Sequence, residues 1–304
     1  MSKHEEYREQ VALVLRILPH IYELEQLAVH GGTAINLFHQ NMPRYSVDID
    51  LTYLPILDRE QSLIEMNRLL GELRLHLLER VKGIRVIHKP DVCKLLCTLD
   101  MAIVKVEING TKRGALGAVE TRSLCAAAEA DFHMKCKAHV VGLSQLYGGK
   151  LSAALARQHP RDLFDFAHMS YSFDEVRDGL LLALAGSDKP IIESLAPNPT
   201  DQHDALEKQF AGMTNEPFSY NDYEQARENL HRFVLEGLSD TDRQFLLSFE
   251  RGEPNWSLCS AGDLSRFPSV QWKLMNIGKL RELNPKKYVQ GVDKLERYLM
   301  ENAR

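Results

Sequence analysis

The spacing of hydrophobic positions changes period part-way along the chain. Near the start, Val11, Val14, Leu15 and Leu18 recur at helical spacing and predict a helix over 7–18. Residues 27–30 (Leu-Ala-Val-His) are then a short apolar run that ends at Gly31, and 33–38 reads as another helix, so the order predicted is helix, strand, glycine turn, helix. Residues 46–52 alternate with period two, as a strand with one buried face does. Val47, Ile49 and Leu51 share one face; Asp48, Asp50 and Thr52 share the other.

Asp58 is placed to cap a long helix whose apolar stripe is Leu63, Met66, Leu69, Leu70, Leu73 and Leu77. Strands are expected at 84–88, 92–99 and 102–109, with 114–124 as a weaker fourth. In the third, Val104, Val106 and Ile108 alternate with Lys105, Glu107 and Asn109, which puts Glu107 on a polar face. After about residue 140 the strand signal stops. Helices are predicted at 142–157, 161–170, 173–185, 221–235, 240–251, 270–283 and 285–301, and 197–217, with Pro199, Gly212 and many polar residues, reads as a loop or linker. The fold expected is α+β: a mixed-sheet core with helices over 1–140, then an all-helical domain over 141–304.

Length and composition agree with two globular domains: 304 residues, 44% hydrophobic and 26% charged. No apolar stretch approaches 18 residues, so no membrane partner is expected. The start carries Glu5, Glu6 and Glu9 where a secretory signal needs a basic and then an apolar run, which predicts a cytoplasmic protein. Five scattered cysteines (Cys93, Cys97, Cys125, Cys136, Cys259) do not describe a disulfide framework. The net charge of −5 argues against a polyanion partner until its distribution is considered. Residues 133–161 hold Lys135, Lys137, Lys150, Arg157 and Arg161 with no acid, and 266–304 carry a net +5, whereas 170–265 carry −11. Two basic zones flank an acidic body, so nucleic acid can be held locally, although ordinary solvated helix faces produce the same pattern.

Asp48 and Asp50, two apart on a strand, project to the same side with backbones about 7 Å apart. Paired carboxylates of this kind suit a hard cation such as Mg²⁺, which takes oxygen ligands and completes its shell with water and substrate phosphate. The pair gains meaning from the glycines before it: Gly31-Gly32 at a strand-to-helix junction can present backbone N–H groups to phosphate oxygens. Glu107 supplies a third carboxylate for one or two cations if its strand lies beside that of Asp48; otherwise it is an exposed acid on a half-buried strand. Further on, Lys150 is a suitable point charge for triphosphate oxygens, and Asp162 and Asp165 share a helix face, Asp165 being open to an ion pair with Arg161 or Arg157. Gly148-Gly149 costs about 1 kcal/mol per glycine inside a helix and is expected to loosen or kink it. The run Gly-Gly-Lys is not a phosphate loop, because Leu151 and Ser144 stand where that loop needs Ser or Thr and Gly. His133, Cys136 and His139 lack a fourth zinc ligand.

The stretch GGTAINLF followed by RYSVDIDLTYL, with Gly31, Gly32, Thr33, Arg44, Ser46, Asp48, Asp50 and Leu51, resembles the AbiEii/AbiGii-type nucleotidyltransferase toxins of bacteria. GGKLSAALARQHPRDLFDF, with Lys150, Ala153, Arg157, Arg161, Asp162 and Asp165, resembles the second signature of that family. The resemblance implies a DNA-polymerase-β-like nucleotidyltransferase core with a helical C-terminal domain, a nucleoside triphosphate donor, and Mg²⁺ at a two-metal site, with Mn²⁺ as an alternative. It implies metal binding by Asp48 and Asp50, to which strand geometry alone adds Glu107 as a third ligand, and nucleotide binding is expected at Gly31, Gly32, Thr33, Arg44, Ser46 and Lys150. Lys150 would hold the triphosphate and Asp162 would lie in the active site. Some relatives add nucleotides to the acceptor end of tRNA and are neutralised by an antitoxin, so RNA and a cognate antitoxin are the partners implied. A protein or small-molecule hydroxyl as acceptor, and a catalytically weak nucleotide-binding regulatory module, are the alternatives.

Overall fold

The computed structural model of the protein describes residues 2–302. The chain divides into two compact units. One comprises Met1–Gly142 with Glu207–Pro217, the other Leu143–Leu206 with Phe218–Arg304.

The first unit is built on a seven-stranded mixed sheet. Its strands are β1 (Leu27–His30), β2 (Ile49–Tyr53), β3 (Arg85–Lys89), β4 (Lys94–Leu99), β5 (Ala102–Ile108), β6 (Glu120–Ser123) and β7 (Lys137–Val140), arranged as β3-β4-β5-β2-β1-β7-β6. β2 runs parallel to β5, β1 runs parallel to β7, and the other neighbouring pairs are antiparallel. Helix α1 (Lys3–Tyr22) packs against β1, β5 and β7, and α3 (Arg59–Arg80) against β3 and β4. The predicted stripes are buried at Val11, Val14, Leu15 and Leu18 on α1 and at Met66, Leu69, Leu70, Leu73 and Leu77 on α3, whereas Leu63, also expected in the second stripe, is only half-buried. Helix α1 begins before its apolar stripe because Ser2 and Glu5 form a capping box. Asp58 caps α3 as expected, accepting from the Gln61 N–H at 2.9 Å.

Between β1 and β2 the chain forms α2 (Gly31–Ala34), which continues as a π-helical turn over Ile35–His39. The expected glycine turn is therefore the first residue of the helix itself. α4 (Ala126–Phe132) and β7 have no counterpart in the expectations; β7 is only four residues long, too short for its alternation to stand out.

The second unit is helical: α5 (Leu143–Arg157), α6 (Pro160–Ala167), α7 (Phe173–Ala185), α8 (Ile191–Leu195), α9 (His203–Ala205), α10 (Tyr220–Gly237), α11 (Asp240–Glu250), α12 (Pro268–Leu283) and α13 (Pro285–Glu301). The boundary expected near 140 did not anticipate the return of Glu207–Pro217 to the first unit. Nor is 197–217 a slack linker. Lys3 Nζ donates to the Glu207 and Lys208 carbonyls at 3.1 and 3.2 Å. The Met213 carbonyl accepts from the Tyr45 N–H at 2.7 Å, and Thr214 Oγ1 donates to the Pro43 carbonyl at 2.9 Å. At the other end of the segment, the Gln158 amide donates to the Asn198 carbonyl at 2.7 Å and accepts from the Thr200 N–H at 3.2 Å.

Helix α5 passes through Gly148-Gly149 as one continuous element, and packing explains the glycines. A Cβ on Gly148 would lie 2.1 Å from backbone atoms of Gly179 and Leu180, and one on Gly179 would lie 1.8 Å from the Ser144 carbonyl oxygen. α5 and α7 meet backbone to backbone, with Ser144 Oγ accepting from the Gly179 N–H at 2.9 Å. Gly148→Ala should therefore force the two helices apart and cost about 1–3 kcal/mol. Gly278→Ala on α12, where an added Cβ meets nothing within 4 Å, should be neutral or stabilise by up to about 1 kcal/mol. Thermal melts of the two variants check the contrast, and equal melting points would refute the packing account.

Candidate active site

The junction of β1, α2 and β2 gathers most of the residues singled out in the first signature. β1 and β2 pair with His30 opposite Asp50, and β2 pairs with β5 so that Asp50 stands opposite Glu107. Opposed residues point to one face of a sheet, so the expectation that the Glu107 strand adjoins that of Asp50 describes the structure. Asp48 lies just ahead of β2 and is half-buried, whereas Asp50 is exposed.

Gly31 has φ +68°, the left-handed region that glycine enters at no steric cost. A Cβ there would fall 2.5 Å from Asp50 Oδ2, so the missing side chain is what lets the carboxylate lie over the start of α2. Gly32 plays the same part for two neighbours: its Cβ would lie 2.8 Å from Ser46 Oγ and 2.9 Å from an Arg44 guanidinium nitrogen. Thr33 Oγ1 sits 2.5 Å from the Asp48 carbonyl oxygen and 3.1 Å from Ser46 Oγ. With a single proton, it donates to the carbonyl and accepts from the serine. Buried Arg44 donates to the Tyr45 carbonyl at 2.8 Å, and the Asn36 amide donates to the Gly32 carbonyl at 3.0 Å. Thr33, Arg44 and Ser46 thus brace the segment that carries Asp48 against the helix that begins at Gly31.

Two lysines not expected in the site lie on its acids. Lys94 Nζ is 2.7 Å from Glu107, and Lys105 Nζ is 3.6 Å from Asp48. The alternation of Lys105 with Glu107 is visible in the sequence, but their partners depend on strand register, which single-strand patterning does not report. Among the described residues no group of three or more His, Cys, Asp or Glu is drawn close enough to hold a metal ion by itself. The oxygen donors gathered here are two carboxylates two residues apart and a third on the next strand. That set fits a hard cation that takes the rest of its shell from water and phosphate, and not an all-protein cage.

The second signature forms its own centre within the helical unit. Lys150 Nζ on α5 is 2.6 Å from Asp165 and 3.1 Å from Asp162, both on α6, and the Arg157 guanidinium reaches Asp162 at 2.8 Å. The side chains of Lys150, Asp162 and Asp165 are 7%, 6% and 0% exposed. Burial alone would raise the Asp162 pKa, but Lys150 and Arg157 overcome it and hold this carboxyl below the usual range. Asp165, expected to pair with Arg161 or Arg157, pairs with Lys150, and Arg157 reaches Asp162. The charge picture changes accordingly: Lys150 already meets two carboxylates, and Lys273 is buried with its ammonium on the Leu184 and Lys189 carbonyls at 2.9 and 2.7 Å. Charge counting along the chain did not see that these cations are spent internally.

A mixed sheet whose paired aspartates follow a glycine-led helix is, by comparison with known proteins, that of a nucleotidyltransferase. The family model described as Nucleotidyl transferase AbiEii toxin, Type IV TA system, matches residues 13–276, and the chain belongs to that family. Among solved structures it is similar to MenT4, a nucleotidyltransferase toxin from Mycobacterium tuberculosis H37Rv, with 15% sequence identity and a TM-score of 0.62 over 91% of this chain and 95% of that one. At that identity the likeness is one of fold. No curated protein sequence is matched by this chain. No helix among the described residues is long and apolar enough to cross a membrane.

Lys150→Met should remove the cation shared by two buried carboxylates, leaving Asp162 with Arg157, and cost about 3–5 kcal/mol. The pH dependence is diagnostic. In the wild type the folded Asp162 pKa is depressed, so its contribution is present above the unfolded value near 4 and is lost as pH falls through the folded value. Without Lys150, burial at Asp162 is opposed by Arg157 alone, so its carboxyl titrates higher than in the wild type, and the variant should regain stability relative to wild type as pH falls. Urea midpoints between pH 7 and 4 test this, and parallel curves for the two proteins would contradict it.

Proposed function

We propose that this chain moves a nucleoside monophosphate from a nucleoside triphosphate to a hydroxyl of an RNA acceptor, the acceptor end of tRNA being the favoured target. In this reading Mg²⁺, or Mn²⁺ in its place, is held by Asp48 and Asp50, and a separately encoded antitoxin restrains the enzyme in the cytoplasm. The observation that carries the reading is the approach of the Asp50 carboxylate to Gly31, which puts carboxylate oxygens at the first residue of α2. The family supports nucleotidyl transfer and an antitoxin; the RNA acceptor rests on the sequence resemblance.

In the reaction the acceptor hydroxyl oxygen bonds to the α-phosphorus, the bond from that phosphorus to the bridging oxygen breaks, pyrophosphate departs and the hydroxyl proton passes to solvent. A divalent cation bound here supplies neutralisation of phosphate charge and acidification of the attacking hydroxyl. Asp48 and Asp50 contribute the anionic oxygens for it, and Glu107 adds negative charge one strand away. Gly31 and Gly32 leave the start of α2 free of side chains, so a triphosphate can approach backbone N–H groups closely. Thr33, Ser46 and Arg44 keep the Asp48 segment in place, and such pre-orientation is where much of the rate enhancement of a transfer lies. Lys105 and Lys94 offset the carboxylates' mutual repulsion and would exchange partners with incoming phosphate. Lys150 and Asp162 remain assigned to the nucleotide through the resemblance, with the Lys150 ammonium shared between its two carboxylates.

Asp50→Asn, nearly the same size, should leave the melting temperature within a few degrees of wild type. It should lower incorporation of labelled nucleotide at least about a hundredfold, equivalent to about 2.7 kcal/mol in the barrier. Gly31→Ala should also suppress incorporation, because the new methyl group meets Asp50 Oδ2 at 2.5 Å in a backbone conformation alanine resists. Pyrophosphate release measured with each of the four triphosphates and bulk tRNA is the direct assay. A wild-type protein that binds nucleotide yet releases none would instead be the regulatory module, and Asp50→Asn protein with undiminished incorporation would remove the metal-site reading.

A further inference from the structure

Strand register carries the face that bears Asp50 across β5, β4 and β3. Asp50 stands opposite Glu107, Glu107 opposite Lys94, and Lys94 opposite Lys89. In the next row Lys105 stands opposite Leu96 and Leu96 opposite Ile87; in the row beyond, Ile103 stands opposite Thr98 and Thr98 opposite Arg85. Because opposed residues share a face, these side chains form one continuous surface with the Asp50 carboxylate at its edge. The ion pairs between Lys94 and Glu107 and between Lys105 and Asp48 bind that surface across the strands.

The opposite face of β3, β4 and β5 is the buried one, carrying Val86, Leu95, Cys97, Val104 and Val106 beneath α1 and α3. The face in question is open. Ile87 is 60% exposed and Ile103 51%, the Lys105 side chain is 52% exposed, and Arg85 and Lys89 are exposed at the outer strand. On these three strands it carries four cations, Arg85, Lys89, Lys94 and Lys105, against one acid, Glu107. This is the reverse of the balance of the whole chain, whose formal net charge is −5. Three strand spacings of about 4.8 Å put the Lys89 row roughly 14 Å from Asp50.

We infer that the open face of β3, β4 and β5 is the docking surface for the acceptor RNA, with Lys89 and Arg85 on its phosphates and Ile87, Leu96 and Ile103 against its bases and sugars. The inference rests on the transferase reading above and adds where the acceptor lies. Charge selects the occupant. A strand laid from β3 towards β5 meets cations first and reaches the acids only where its terminal hydroxyl is needed. A protein antitoxin would use the three aliphatic side chains without needing the cations beside them. Phosphate contacts of this kind position the substrate without reading sequence, and they make affinity fall with salt.

The test is the double charge reversal R85E/K89E in the full chain, compared with wild type for binding of unfractionated tRNA across a salt series and for transfer kinetics. Both residues are exposed and remote from the core, so the melting temperature should hold. The expected result is tRNA binding at least tenfold weaker at low salt, with the slope of log affinity against log salt reduced by about 1 to 2. KM for acceptor should rise at least tenfold, with KM for nucleotide within twofold of wild type. A variant that binds and labels tRNA like wild type overturns the docking surface while leaving the transferase intact. If wild type releases pyrophosphate in an Asp50-dependent way but labels no RNA, the acceptor reading fails and the docking surface falls with it. Loss of antitoxin binding by the variant with tRNA labelling unchanged would assign the face to the protein partner and likewise overturn the inference.

Discussion

The first unit depends on the near-contact between Asp50 and Gly31. His30 and Asp50 are opposed on antiparallel strands, so the residue after His30 must begin its helix directly beside the carboxylate. Only a residue without a Cβ, in a left-handed conformation, permits that. The other contacts of the junction serve the same geometry. Gly32 makes room for Ser46 and Arg44, and Thr33 ties the Asp48 carbonyl to the helix. In the proposed transfer, carboxylate and phosphate oxygens would come within reach of shared cations, and rigid backbone pre-positions the carboxylates for it.

The helical unit solves a different problem with a similar device. Gly148 and Gly179 bring α5 and α7 to backbone contact, and Lys150 lies two residues further along α5. Its ammonium compensates two carboxylates on α6 that would otherwise be costly to bury. A cluster of this kind makes the relative position of α5 and α6 a condition of charge balance, so it holds those helices in register. The residues of the second signature are therefore structural within their own unit, whatever further role they take toward a nucleotide.

Electrostatics also separates the two halves of the sheet. Within one face the acids at β2 and β5 give way to cations towards β3, with Lys105 of β5 paired to Asp48 and Lys94 of β4 paired to Glu107. Neither the net charge nor the basic zones at 133–161 and 266–304 describe this gradient. The four cations are spread over twenty-one residues of sequence and become one surface only through pairing. Conversely, Lys150 and Lys273, which counted towards those basic zones, are buried on carboxylates and carbonyls.

Much of this protein was legible in its sequence, because local periodicity reports local structure. The stripes of α1 and α3, the Asp58 cap, the alternation that puts Asp50 and Glu107 on polar faces, and nearly every helix after residue 140 follow from spacing that the chain cannot disguise. The family was legible as well, through Gly31-Gly32 with Asp48 and Asp50. Three things needed tertiary structure. The adjacency of β2 and β5, separated by nearly fifty residues, is set by sheet order, which periodicity within a strand does not encode. The purpose of Gly148 is visible only from Gly179, thirty-one residues later and on another helix. The fastening of Glu207–Pro217 to the first unit depends on hydrogen bonds to backbone carbonyls far away in sequence, and the identity of the donor does not tell which carbonyl it will meet. Side-chain pattern determined which elements form and which faces they bury; pairing of distant backbones decided which charges meet.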